Sequence, residues 1–165
     1  MTSSETQAFV NEFRATVETA ARSLEQISEE DSSLPLREGK WSAKQVLGHL
    51  IDSAANNHLR LVRARLTPDL VFEGYEQDKW VTVQHYESEP WVQLISLWKH
   101  YNLHLSHLMA RAPENVRLLL RTKHNLDRIA FQTVSAAEPV TLDSFMRDYV
   151  VHLRHHLKQI LGESI

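Results

Sequence analysis

The 165-residue sequence contains no cysteine. Disulfides, thiolate metal sites, CxxC redox pairs and a cysteine nucleophile are therefore excluded, and any metal must be held by nitrogen or oxygen. Glycine and proline are scarce, at four and five residues, which sets the chain apart from fibrous and low-complexity sequences. No stretch approaches the ~20 uncharged residues of a membrane span. The opening Met1-Thr-Ser-Ser-Glu has neither a basic segment nor an apolar core, so the expectation is a cytoplasmic protein without a targeting segment. No basic stripe is present either: 18 Lys and Arg are interleaved with 21 acidic residues for a net charge of −3, which gives a nucleic-acid role no support.

What remains is a 42% hydrophobic, 24% charged chain of the length of one domain, spanning 1–165. Residues 5–28 place Phe9, Phe13, Val17, Ala20, Leu24 and Ile27 at spacings of three and four, one face of a helix. Residues 29–40 carry Pro, Gly and Ser and read as a connection. A second helix starts at Trp41-Ser42, where Ser42 and Gln45 form a capping box, and runs to about Leu66, before Thr67-Pro68. Residues 67–87 lack periodicity and predict an ordered connection with at most one helical turn. A third helix begins near Pro90 and ends at Ala112-Pro113, with Trp91, Leu94, Trp98, Tyr101, Leu105 and Leu108 as its core stripe. The segment 116–140 is either a short hairpin, pairing 117–121 with 128–134, or a long loop. A fourth helix follows Pro139, capped by Thr141 and ending at Gly162. Four amphipathic helices with long connections predict an all-α four-helix bundle.

Ten histidines are the unusual count. His152 and His156 lie four residues apart on the fourth helix, one turn above the other, on the face that carries Phe145, Tyr149 and Ile160. Such a pair can chelate a metal; it can also be solvated or held by hydrogen bonds in a core. On the second helix His49, Asp52, Ser53, Asn56 and Arg60 form a continuous polar stripe, which is either a solvent face or one wall of a site built between helices. As a wall, it gives His49 as a third ligand, Asp52 to orient a ligating histidine, and Asn56 and Arg60 for substrate oxygen atoms. Lys44, Ala55, Arg63 and Arg65 read as the exposed side of that helix. His100, His104 and His107 fall on the solvent flank of the third helix, and His155 at a boundary.

Trp41-Ser42, Gly48-His49-Leu50-Ile51-Asp52-Ser53, Asn56, Arg60, Tyr75, Trp80, Thr141-Leu142-Asp143 and the run from His152 to Ile160 together resemble the DinB-like superfamily, in its bacillithiol S-transferase (YfiT-type) branch. The resemblance implies a four-helix bundle, often a homodimer, with His49, His152 and His156 binding a divalent metal. Zinc or nickel suits three imidazoles, as do cobalt, iron(II) and manganese to differing degrees. Three protein ligands leave a position open for chemistry. Because the chain has no cysteine, a thiol nucleophile has to arrive as a low-molecular-weight thiol. The expected activity is transfer of that thiol to a small electrophile, with Asp52 and Tyr75 at the reacting centre and Asn56 and Arg60 on the substrate. Metal-dependent hydrolysis of an amide or ester, and a non-catalytic metal-binding stress protein, are the alternatives.

Overall fold

The computed structural model describes residues 3–162. Four long helices make the bundle: α1 (Ser3–Leu24), α3 (Ala43–Leu66), α5 (Trp91–Ala110) and α8 (Leu142–Leu161). Between them lie four short ones: α2 (Glu29–Ser33), α4 (Gln77–Gln84), α6 (Glu114–Arg117) and α7 (Leu126–Ile129), with a 3-10 turn at Tyr86–Ser88.

The ends of the long helices follow their local chemistry. Ser42 accepts from the Gln45 N–H while the Gln45 side chain accepts from the Ser42 N–H, and Thr141 and Ser144 make the same reciprocal pair. Gly162, at φ +72°, ends α8 in a conformation that disfavours residues with a Cβ.

Both α1 and α3 pack against both α5 and α8. Around the bundle the order is therefore α1, α5, α3, α8, so α1 and α3 face each other diagonally, as do α5 and α8. This explains two of the long connections: 25–42 and 111–141 must each carry the chain across the bundle to a diagonal position. The core between the helices includes Phe13, Leu24, Leu47, Leu50, Leu94, Trp98, Leu105 and Leu153, all fully buried.

Several expectations are corrected. No hairpin forms in 116–140; Arg121 pairs instead with Val140, and residues 126–129 turn as α7. The reason is that this segment pairs with the other long connection. Leu70 donates to the Lys123 carbonyl, Asn125 donates to the Leu70 carbonyl, and the Asn125 side chain brackets both the N–H and the C=O of Phe72. Residues 67–87 hold two turns of helix in α4, not one at most, anchored by buried Val81 against α3. The connection 29–40 contains α2, capped by Ser28. On α5 the stripe shifts: Ile95, Asn102, Ser106 and Met109 are buried, whereas Tyr101 and Leu108 are only half-buried. Lys44 is not on an exposed side. It is buried, with its ammonium on Glu29 and the Glu87 carbonyl.

Candidate metal centre

The polar stripe of α3 is not a solvent face. His49, Asp52, Ser53 and Arg60 are all buried, and α8, packed against α3, brings His152 to His49 and Ser53 and His156 to His49. Ligand atoms of His49, His152 and His156 all lie within 4.8 Å of one another, the one such gathering of His, Asp or Glu side chains among the described residues. The Nε2 atoms of His49 and His152 are 3.1 Å apart. Two nitrogens at ~2.1 Å from one ion stand roughly 3.0–3.4 Å apart, so this pair already has the spacing of ligands.

The second nitrogen of two rings is tied back to the protein. Nδ1 of His152 lies 3.4 Å from the Ser53 hydroxyl, and Nδ1 of His156 lies 3.1 Å from the Gln159 side-chain oxygen. Such contacts fix the ring orientation and leave Nε2 facing the centre. His49 is held by shape: its ring packs against Trp41 at 5.5 Å and against both other histidines, at 5.1 and 4.6 Å. Its Nδ1 is buried without a hydrogen-bond partner among the described residues.

Burial, and then the neighbouring His156, lowers the His49 pKa to about 4. Burial followed by His156, His49 and His155 lowers His152 to about 3. His156 is lowered too, chiefly by burial. At neutral pH three uncharged imidazoles thus converge, the protonation state that a metal requires. The donor set, its spacing and its charge fit a divalent ion.

The histidines open onto a cavity of about 470 Å³. Its polar wall includes Arg60, Arg128, Asp148 and Tyr75, and its apolar wall Phe131, Phe145 and Tyr149. Burial first, then the charge of Asp52, pushes the Tyr75 phenol up to about 12, so Tyr75 stays protonated at neutral pH and its hydroxyl can donate a hydrogen bond. Arg60 lines the cavity while one nitrogen donates to the Glu73 carbonyl at 2.8 Å.

Two residues of the stripe are placed otherwise than expected. Asp52 orients no histidine. Its Oδ1 accepts from the Tyr86 hydroxyl at 2.7 Å and from the Gln84 amide at 2.6 Å, and burial raises its pKa against the effect of those bonds. Asn56 turns away and donates to the Asp52 carbonyl of its own helix, while Asn57 lines the cavity. On α5 the expectation holds, since His100, His104 and His107 are exposed; His155, expected at a boundary, is exposed too.

Sequence reasoning missed Tyr86, Gln84, Asp148 and Phe131. One signal for Tyr86 was available in Gly48, beside His49. A Cβ built on Gly48 would lie 2.1 Å from a Tyr86 ring carbon, so only glycine lets that ring lie against α3 and reach Asp52. Asp148 accepts from the Phe131 and Gln132 N–H groups at 2.9 and 2.7 Å. This holds the Phe131 ring against His152 and His155, at 5.4 and 5.1 Å.

A model of the DinB superfamily matches residues 12–160. A protein of Bacillus mycoides (strain KBAB4), provisionally named a metal-dependent hydrolase, is 28% identical over 60 residues, covering 36% of this chain and 35% of that protein. This chain thus matches about a third of that relative's length, given the 35% coverage. The YfiT protein of Bacillus subtilis (strain 168), with the same provisional name, is 24% identical over 139 residues, or 84% of this chain and 72% of its own. The solved structure of YfiT, described as having an unusual four-helix bundle topology, matches with a TM-score of 0.78 at 16% identity, covering 97% of this chain and 86% of that one. The likeness extends over the whole bundle.

Proposed function

The chain belongs to the DinB superfamily, and from that premise we propose that it is a metal-dependent enzyme. In this reading His49, His152 and His156 hold a divalent ion, zinc or nickel by preference. The observation that carries it is the meeting of three uncharged, oriented imidazoles at the mouth of a cavity of small-molecule size. The ion supplies a Lewis acid that lowers the pKa of a thiol or water brought to it. The provisional names of the two relatives support metal dependence as well.

The reaction we propose is transfer of a low-molecular-weight thiol to a small electrophile. The chain has no cysteine of its own, and neither nearby carboxylate is placed to act as a base toward water in the cavity. Asp52, whose Oδ1 accepts from Tyr86 and Gln84, lies outside the cavity wall, and each oxygen of Asp148 accepts a backbone N–H. A thiol needs less help than water, since its pKa starts near 8.5 rather than near 16. Arg60 and Arg128 bind anionic or carbonyl groups of the electrophile, Tyr75 donates a hydrogen bond, and Phe131 and Phe145 shield the reacting atoms from water. Metal-dependent hydrolysis is the second reading, and the relatives' names favour it. The resemblance to the S-transferase branch also supports a homodimer, and the exposed row Leu59, Val62 and Leu66 on α3 gives such a dimer an apolar surface.

Purified protein loaded with zinc or nickel is to be assayed with bacillithiol, mycothiol and glutathione against a chloro-aromatic electrophile, and in parallel with amide and ester substrates. Thiol-dependent product is expected. Hydrolysis without any thiol-dependent product would replace this reading with the second one.

A further inference from the structure

Beyond the main cavity, a second one of about 610 Å³ reaches one of the three histidines, His156. The two share His156 and Gln77 in their walls. A hydrolase needs room for one substrate and water. A group transfer between two molecules needs two places that meet at the reacting atoms, and the two cavities meet at His156.

The second cavity is shaped by a feature that the reaction described so far does not use. Residues 35–42 form a miniature hairpin: Pro35 bridges Ser42, Leu36 donates to the Trp41 carbonyl at 3.1 Å, and Lys40 donates to the Arg37 carbonyl at 3.0 Å. Gly39, at φ +68°, makes this tight turn possible without strain. Its end is fixed, because Ser42 is the cap of α3 and the Trp41 ring rests on His49. The turn presents Arg37 and Lys40 to the cavity, with Trp41 between them and the histidines. Neither cation takes part in an ion pair among the described residues. Asp78 is the one acidic residue in the lining, so the wall is positive on balance.

We propose that this hairpin is the subsite for the thiol cosubstrate, and that it selects a thiol carrying carboxylates. Arg37 and Lys40 take the carboxylates, Trp41 packs on the thiol's carbon skeleton, and the sulfur lies at the His156 end, facing the electrophile in the main cavity. With a chloro-aromatic acceptor the sulfur bonds to the ring carbon and the carbon–chlorine bond breaks. Chloride leaves with the electron pair, and the thiol proton passes to solvent. The assignment rests on the thiol-transfer reading, but binding tests it separately.

Isothermal titration of zinc-loaded protein with S-methylglutathione, which has both carboxylates and no reactive sulfur, is expected to show saturable binding that weakens about tenfold in the Arg37→Gln/Lys40→Gln variant. Both side chains are exposed, so folding is preserved, and circular dichroism and zinc content verify it. No saturable binding to the wild type, equal binding by the double variant, or loss on Arg128→Gln instead would overturn the subsite. In turnover, the double variant should raise KM for glutathione about tenfold and leave KM for 2-mercaptoethanol, which has no carboxylate, unchanged. Turnover with an equal effect on both thiols sinks the subsite and leaves the transferase reading standing. Binding that depends on Arg37 and Lys40 without thiol turnover sinks the transferase reading alone and leaves an anion site on this hairpin.

Discussion

Replacing Gly48 with Ala sets two known effects against each other. In the middle of a helix alanine is favoured over glycine by ~1 kcal/mol, so propensity alone predicts a more stable protein. The new Cβ, however, would meet three ring atoms of Tyr86 at 2.1, 2.3 and 2.7 Å. A ring 4% exposed, held at its hydroxyl by Asp52, cannot move aside freely. Overpacking of this kind costs ~1–3 kcal/mol, and losing a hydrogen bond to a charged acceptor costs a further ~1.5–3 kcal/mol if the ring swings out. The clash therefore wins, and net destabilisation on the order of 2 kcal/mol is expected in urea unfolding. The decisive control is the same substitution in a Tyr86→Ala background. With the ring gone, Gly48→Ala should stabilise by ~1 kcal/mol, so the two substitutions couple by about 3 kcal/mol, the sum of the two opposite effects. A stabilising Gly48→Ala in the wild-type background, or the same sign in both backgrounds, refutes the close approach of Tyr86 to α3.

Three further outcomes follow from the site and its supports. Metal content measured by elemental analysis should fall in His49→Ala and in His152→Ala relative to wild type; equal metal in all three preparations means the ion lies elsewhere. Stability of the metal-free protein should fall on acidification, because His49 and His152 have folded pKa values of about 4 and about 3, below the unfolded 6.5. Their contribution is complete above pH ~6.5 and is lost as pH falls toward ~4, at a slope of up to ~1.4 kcal/mol per pH unit for each uncharged histidine. The raised carboxyls Asp52 and Asp148 act in the opposite direction. A His49→Leu/His152→Leu variant isolates the effect, and a slope as steep as wild type would exclude it. Asp143→Asn should cost ~3–5 kcal/mol in chemical unfolding by leaving the fully buried Arg117 guanidinium without its anion; a loss below 1 kcal/mol would mean that Arg117 finds water or another acceptor.

Much of this protein follows from local chemistry. The four long helices, the capping boxes at Ser42 and Thr141 and the Gly162 stop depend on residues within a turn of one another, and such patterns can be read directly. The His152 and His156 pair is local in the same sense: a spacing of four on one helix face puts both rings on one side whatever the rest of the chain does. Absence of cysteine settled by itself that any thiol must come from outside. Tertiary structure decided whether the stripe on α3 faced water or the bundle, because periodicity places residues on a common face without saying what covers it. Only packing showed that Lys44 lies buried on Glu29 and that Asp52 belongs to Tyr86 and Gln84 rather than to a histidine. The connections were the least legible, since 67–76 and 121–130 take their shape from hydrogen bonds to each other across about 50 residues of sequence, as Asn125 does with Phe72. No window of sequence contains both halves of such a contact, so the second cavity and the loop that carries Phe131 exist only in the folded chain.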